Sequence, residues 1–285
     1  MKDSHRNSIQ RLTLAITLSA GLGFVSPASA QEHYYIVDLN SKTVTDLGTL
    51  GGDGSHASGI NDAGRVVGQF TTATGNAHAF ITGPNGVGMT DLGTLGEDFT
   101  SGFGINVAGQ VVGFSGTAAG EVHAFITGSN GVGMTDIGTL GPFSAAFDIN
   151  DTGRVVGWYS DMAAGGQHAF ITGPDGVGMT DLSTLLGVGY SSASGINTIG
   201  QVTGYYDTAT GFGHAFITGP NGVGMTDLGT LGESGNTDYY SSTASGINDA
   251  GQVVGESSTA TGYEHAFITG PDGVGMTDLG TLGGG

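Results

Sequence analysis

Residues 78–91 read His-Ala-Phe-Ile-Thr-Gly-Pro-Asn-Gly-Val-Gly-Met-Thr-Asp, and the same frame returns at 123–136, 168–181, 214–227 and 265–278. A degenerate copy at 33–46 keeps His33 and Asp46 at the same step. The six aspartates, Asp46, Asp91, Asp136, Asp181, Asp227 and Asp278, lie 45 to 51 residues apart. Self-similarity at such a period marks a repeat array, in which each unit buries its faces against its neighbours. Between these frames runs a second motif, Ile-Asn-x-x-Gly followed by Arg or Gln and then Val, with Asn61, Asn106, Asn150, Asn197 and Asn248 at its head.

Each unit predicts four short strands. In the first full copy, strand A ends near Ile60, B covers Arg65 to Phe70, C runs from His78 to Thr82 and D from about Met89 to Leu95. Valine, threonine and aromatic runs bounded by Gly and Asn are strand signals. Helix competes poorly, since 57 of the 285 residues are Gly and each would cost a helix about 1 kcal/mol. The Asn-x-x-Gly segments join A to B, because Asn caps its own turn and Gly supplies a positive φ. Gly-Pro-Asn-Gly (83–86) and Gly-Pro-Asp-Gly (173–176) join C to D, with Ser129 in place of Pro in one copy.

Val66-Val67 and Ala79-Phe80-Ile81 put apolar residues on both sides of their strands, the pattern of a sheet covered on both faces. Four strands in a period near 45 predict an all-β, β-propeller-like array of four-stranded antiparallel repeats with five to six blades. The alternative is an open β-solenoid-like array. The units fall at a half repeat 31–52 and repeats at about 53–98, 99–143, 144–189, 190–240 and 241–285. There are six C–D pairs and five A–B pairs. Three closures follow: six blades with one half-built, five blades with the N-terminal pair capping an edge, or an edge left open for another chain.

Residues 1–30 read as a cleavable export signal: Lys2, Arg6 and Arg11, an apolar run from Leu12 to Val25, then Ala28-Ser29-Ala30. The expected location is secreted or periplasmic, with no membrane span after cleavage. The chain carries 25 acidic and 6 basic residues. Three of the basic residues lie in the signal, so the remainder is more acidic still. Nucleic acid is therefore excluded as an expected partner, because phosphate contacts need a basic surface. The absence of Cys excludes disulfides, thiolate metal sites and thiol nucleophiles.

The consensus assembled from 46–56, 59–68 and 78–80 is Asp-Leu-Gly-Thr-Leu-Gly-Gly, Ser-Gly-Ile-Asn-Asp-Ala-Gly-Gln-Val-Val-Gly, then His-Ala-Phe. It resembles the bacterial HAF extracellular repeat family, with related segments over 34–285. The resemblance implies an exported bacterial repeat protein of a family without an assigned catalytic activity.

The repeated His and Asp invite a metal reading, but geometry favours structure. If Thr82 pairs with Met89, Phe80 faces Asp91 and His78 lies diagonal to it, within side-chain reach. The expected intrasheet pairs are His33–Asp46, His78–Asp91, His123–Asp136, His168–Asp181, His214–Asp227 and His265–Asp278. WD-repeat propellers use a similar His and Asp. No hydrolase elbow, metalloprotease helix or phosphate loop is present, and the expectation is a non-enzyme. No cofactor is indicated. Acidic loops leave calcium open, and Gly51-Gly52-Asp53-Gly54 resembles a calcium nonapeptide, but it does not recur at that interval and nothing fixes a ligand set.

The A–B and C–D turns share one end of each unit and barely vary, whereas the B–C and D–A segments share the other end and differ in each copy. Recognition belongs at the variable end. The candidate surface there is Trp158, Tyr159 and Asp161, then Tyr205, Tyr206 and Asp207, then Asp238, Tyr239 and Tyr240. Aromatic planes beside carboxylates suit carbohydrate or an extracellular protein, or the rings fill gaps between blades, as Phe103 and Phe147 are expected to do. A structural protein assembling through strand edges is the other class, and a glycan-active enzyme a third.

Overall fold

Each Asn-x-x-Gly and Gly-Pro-Asn/Asp-Gly turn reverses the chain, so every period folds into an antiparallel meander. The computed structural model describes residues 34–39, 41–161, 166–183, 189–232 and 241–281. The proposed signal 1–30, His33 and Asp238-Tyr239-Tyr240 lie outside the described residues. A half-unit comes first, β1 (Tyr35–Asp38) paired with β2 (Thr43–Asp46). Sheet 1 comprises β3 (Ser55–Ile60), β4 (Val66–Thr71), β5 (Ala77–Thr82) and β6 (Met89–Asp91). Sheet 2 comprises β7 (Gly96–Ile105), β8 (Val111–Thr117), β9 (Val122–Thr127) and β10 (Met134–Asp136). In sheet 3 these are β11 (Ser144–Ile149), β12 (Val155–Asp161), β13 (Gly166–Thr172) and β14 (Met179–Asp181). Sheet 4 has β15 (Ser191–Ile196), β16 (Val202–Asp207), β17 (Gly213–Thr218) and β18 (Met225–Asp227). Sheet 5 has β19 (Ser242–Ile247), β20 (Val253–Ser258), β21 (Glu264–Thr269) and β22 (Met276–Gly280). Every pairing within these sheets is between consecutive antiparallel strands. β7 begins before the expected boundary at 99, its added turn of strand accommodated by a register shift between Gly96 and Thr100.

The sheets stack face against face. Val67, Ala79 and Ile81 of sheet 1 pack with Val111 and Phe125 of sheet 2, and the same contact is repeated at each later junction. The first strands of neighbouring sheets pack on one another, which places them at a hub and the short fourth strands outside. That is the β-propeller arrangement, and the solenoid alternative is set aside. Each first strand carries a bulge, as between Ala57 and Gly59, which turns one extra residue toward the hub.

Two glycine positions explain why the repeats tolerate no other residue there. A Cβ on Gly157 would lie 1.9 Å from the carbonyl oxygen of Ala145, so β11 and β12 approach only over a bare backbone. Gly176, at φ +72, seats the outer turn of sheet 3 on its predecessor: a Cβ there would come within 2.8 Å of Ile137 and 3.1 Å of Ile126.

The constant end is zippered. Asn130 and Gly131 in the C–D turn donate their amides to the carbonyls of Ala108 and Gly109 in the A–B turn. At the hub, a ladder of buried asparagines links the sheets: the Asn61 side-chain amide donates to the Asn106 carbonyl, Asn106 to Asn150, Asn150 to Asn197, and Asn197 to Asn248, at 3.0–3.2 Å. Burial of these groups requires such partners.

The half-unit caps the leading face of sheet 1, where Ile36 and Leu47 meet Val66, Phe70 and Phe80. The N-terminal pair thus covers one edge of the array, while the outer face of sheet 5 is left exposed. Sheet 5 is different: Val254 is 42% exposed, whereas its counterparts Val67, Val112 and Val156 are at 0%.

Candidate binding face

The invariant His and Asp serve the sheets. Thr82 pairs with Met89 and Phe80 with Asp91, and the His78 Nδ1 lies 2.9 Å from Asp91. The corresponding distances are 2.7 Å for His123–Asp136, 3.0 Å for His214–Asp227 and 2.9 Å for His265–Asp278. Each aspartate also accepts the amide two residues on, as Asp91 does from Gly93 at 2.8 Å. The His168–Asp181 pair departs from expectation: its closest approach is 3.8 Å. Ser183, where the other copies have Gly, stands between them, 2.6 Å from His168 Nδ1 and donating to Asp181 at 2.5 Å. Asp46 accepts the Gly48 amide at 2.8 Å, while its expected partner His33 lies outside the described residues.

The electrostatics follow these bonds. Desolvation pulls the His78 pKa down, but its hydrogen bonds to Asp91 and Asp98 and the charges of both outweigh that, so it ends above its ordinary value. Desolvation likewise works to raise Asp227, and the bond to His214, the Gly229 amide and Tyr206 reverse it, leaving its pKa lowered. Asp278 is lowered by the Gly280 amide and by His265. Among the described residues no group of three or more His, Asp or Glu side chains is arranged to hold a metal ion.

Strand alternation splits the predicted aromatic clusters in two, and this is a correction. Tyr159 and Tyr206, expected at the surface, are buried at 4% and 8% exposure. Tyr159 packs on His168 with ring centroids 5.4 Å apart, and Tyr206 on His214 at 6.3 Å. Burial, followed by the charge of Asp181 and a hydrogen bond to it, raises the Tyr159 pKa; Tyr206 is pushed up to about 12 by burial and Asp227. Both tyrosines therefore belong to the inter-sheet core, at the position Phe70 holds in sheet 1. Asp161 and Asp207 end their strands partly buried, and burial raises the Asp207 pKa.

Trp158 and Tyr205 point to the other face, where each meets an aromatic ring just ahead of the first strand. Tyr205 lies 6.1 Å from Tyr190, and the equivalent Phe114 lies 6.4 Å from Phe99. Trp158 and Phe143 line one apolar cavity of about 270 Å³, together with Phe114, Phe147, Val122 and Ala145. Its one polar lining residue, Ser144, is already engaged, accepting the Ala124 amide at 2.9 Å and donating to the Gly138 carbonyl at 3.2 Å. Phe143 is 40% and Tyr190 37% exposed. At the following junction, the Tyr190 hydroxyl donates to Gln167 at 3.1 Å. Burial and then Tyr190 push the Tyr205 pKa up to about 12.

Sheets 2, 3 and 4 thus present aromatic pairs at one repeated position, forming an arc at the variable end. At the same position sheet 1 carries Gly54 and Gln69, and sheet 5 carries Ser241 and Glu256. Sequence reading did not single out Phe99, Phe143 and Tyr190, although each stands seven residues before its asparagine, a spacing that marks them out. Phe103 and Phe147, expected fillers, contact each other at the hub at 5.5 Å, and Phe103 reaches Phe114 at 5.7 Å.

Asp148 stands where the other four copies have Gly. Asp148 is partly buried, its carboxylate accepting the Ile196 amide at 2.9 Å and the Ile149 amide at 2.8 Å. Burial pushes its pKa up to about 6, against those two bonds.

No protein-family model matches the sequence, and a search of curated proteins finds no match. Solved structures do resemble it. The β-propeller domain of the Trilobed protease from Pyrococcus furiosus, described as having an open velcro topology, superposes with a TM-score of 0.60 at 13% identity, over 91% of this chain and 79% of its own. A puromycin-hydrolysing peptidase from Mycobacterium tuberculosis gives 0.58 at 10% identity, over 88% of this chain and 41% of its own. TolB from Acinetobacter baumannii gives 0.50 at 10% identity, over 85% and 57%. At such identities the likeness establishes the fold alone. This chain spans about two fifths of that peptidase's length.

Proposed function

We propose that this chain is an exported, non-enzymatic propeller module of the HAF repeat kind, which binds carbohydrate or an extracellular protein through the aromatic arc of its variable end. The observation that carries this reading is the cavity bordered by Trp158, Phe143 and Phe114, followed at the next junction by the Tyr190–Gln167–Tyr205 cluster. An apolar ring face or side chain fills the former, and hydroxyls or amides of the same ligand meet the latter. A non-catalytic role is supported by the use to which the repeated His and Asp are put: four described pairs tie strand C to strand D directly and the fifth, His168 and Asp181, through Ser183.

The experiment is binding of purified residues 31–285 to a glycan array and to surface proteins, with Trp158→Ala as control. The reading expects at least about a tenfold loss of affinity in the variant, since interface tryptophans carry much of a binding energy. Ligand binding indifferent to Trp158, Phe143 and Tyr205 substitutions overturns it. An edge-assembling structural role is the second reading, favoured by the uncovered face of sheet 5; it predicts size that depends on concentration.

A further inference from the structure

Three aromatic pairs line the arc of the variable end, Phe99–Phe114, Phe143–Trp158 and Tyr190–Tyr205, and each has an acid beside it. Glu97 and Phe99 lie together over Gly116 of β8. Glu121 precedes Val122, which lines the cavity and bridges to Phe143. Asp207 and Tyr205 flank Gly213 of β17. Glu97 and Glu121 are exposed and Asp207 is half-buried.

The bases lie elsewhere. After residue 30 the chain has only Lys42, Arg65 and Arg154. Arg65 and Arg154 follow A–B turns and donate to the Thr82 and Thr172 carbonyls at the constant end. Lys42 sits between β1 and β2, in the counterpart of a C–D turn. The strand-C histidines of the variable end have Nδ1 engaged by an aspartate or, at His168, by Ser183. Among the described residues, the arc therefore carries carboxylates with no lysine or arginine between them.

The cavity imposes a second condition. Its lining is apolar except for Ser144, whose hydroxyl is engaged by Ala124 and Gly138. A sugar entering it would leave hydroxyls without partners, a penalty that an aliphatic or aromatic side chain escapes. At about 270 Å³ it has room for one such side chain. The faces of Trp158 and Tyr205 also attract ammonium and guanidinium groups.

Resting on the reading of the arc as the binding face, we infer that its ligand is a basic segment of another protein. One large apolar side chain enters the cavity between sheets 2 and 3, and Lys or Arg side chains on either side of it meet Glu97, Glu121 and Asp207. Opposite charge steers and orients such a segment, whereas a neutral glycan gains nothing from it.

Trp158 is the only tryptophan of the chain, so its fluorescence reports occupancy of the cavity. The probes are tryptophan-free decapeptides with Phe or Leu at the centre and Lys and Arg around it, titrated into the full chain. Companion peptides carry Glu for every base, or Ala for the apolar residue. The basic probes are expected to saturate the Trp158 signal, and both companions to bind at least about tenfold more weakly. Raising salt from about 50 to about 500 mM is expected to weaken the basic probes about tenfold. Glu121→Gln combined with Asp207→Asn reproduces that loss at low salt, with Tm unchanged. Equal binding of the acidic companion, or no response to any basic probe, overturns the inference. If a glycan binds in a Trp158-dependent way and the basic probes do not, the arc remains the binding face and only its ligand class is wrong. If basic probes, followed by anisotropy, are indifferent to Trp158→Ala, Phe143→Ala and Tyr205→Ala, both readings fall.

Discussion

At the end of the sheets that carries the Asn-x-x-Gly and Gly-Pro-Asn/Asp-Gly turns, the two turns hydrogen-bond to each other and to the neighbouring sheet, and little can change. At the opposite end, the same strands close with Gln69, Phe114, Trp158, Tyr205 and Glu256 at one repeated position. The difference follows from what each residue touches. A letter held by backbone on both sides has one solution, and a letter facing solvent has many.

The comparison breaks most visibly at Gly157. Gly157→Ala places a methyl on the Ala145 carbonyl, and the expected outcome is a loss of more than about 4 kcal/mol, or no folded protein, read by chemical denaturation. His214→Ala removes one strand C–D tie and leaves Asp227 without its ring partner; a loss of about 1–2 kcal/mol is expected. Equal stability in that variant would mean that the His–Asp ties are ornamental. At the other end, Trp158→Ala is expected to change stability by less than about 1 kcal/mol while abolishing ligand capture, which reverses the pattern seen at Gly157 and His214.

Proton linkage sharpens the contrast at the hub. Asp148, at about 6 in the fold against 3.8 in the unfolded chain, holds its proton more tightly when folded. Its contribution is therefore complete below about pH 4 and disappears as the pH rises through about 6. His78, raised above 6.5, acts in the same sense: its stabilisation is full below its unfolded value and lost as the pH rises through the folded one. Asp227 and Asp278, held below 3.8, oppose this only in strong acid. Thermal stability is thus expected to be greatest near pH 4 and to fall as the pH rises to 6 and beyond, and in Asp148→Asn that fall should shrink, by up to about 3 kcal/mol.

Much of the fold is legible in the sequence because the repeat supplies its own alignment. Comparing Asn61-Asp62-Ala63-Gly64 with its copies isolates the turn, and the apolar doublets announce two covered faces. The site is less legible. Adjacent aromatics in a strand face opposite ways, so Trp158-Tyr159 and Tyr205-Tyr206 read as clusters in one dimension and separate in three. The rings that do meet Trp158 and Tyr205 come from the preceding connection, Phe143 and Tyr190, where irregular length hides the correspondence until the copies are aligned on their asparagines. Ser183 shows the same limit at smaller scale. A single hydroxyl in place of Gly reroutes one His–Asp bond, and nothing in the spacing signals it.

The asparagine ladder has a consequence for how such a chain changes length. Each rung joins one Asn side chain to the main chain of the next, so the rule is local and makes no reference to how many rungs exist. Excising residues 106–149 would bring Ile105 directly onto Asn150 and regenerate the same Ile-Asn-x-x-Gly sequence. Recombination between copies can therefore lose or gain a whole period in frame, and every surviving rung would find the carbonyl it expects.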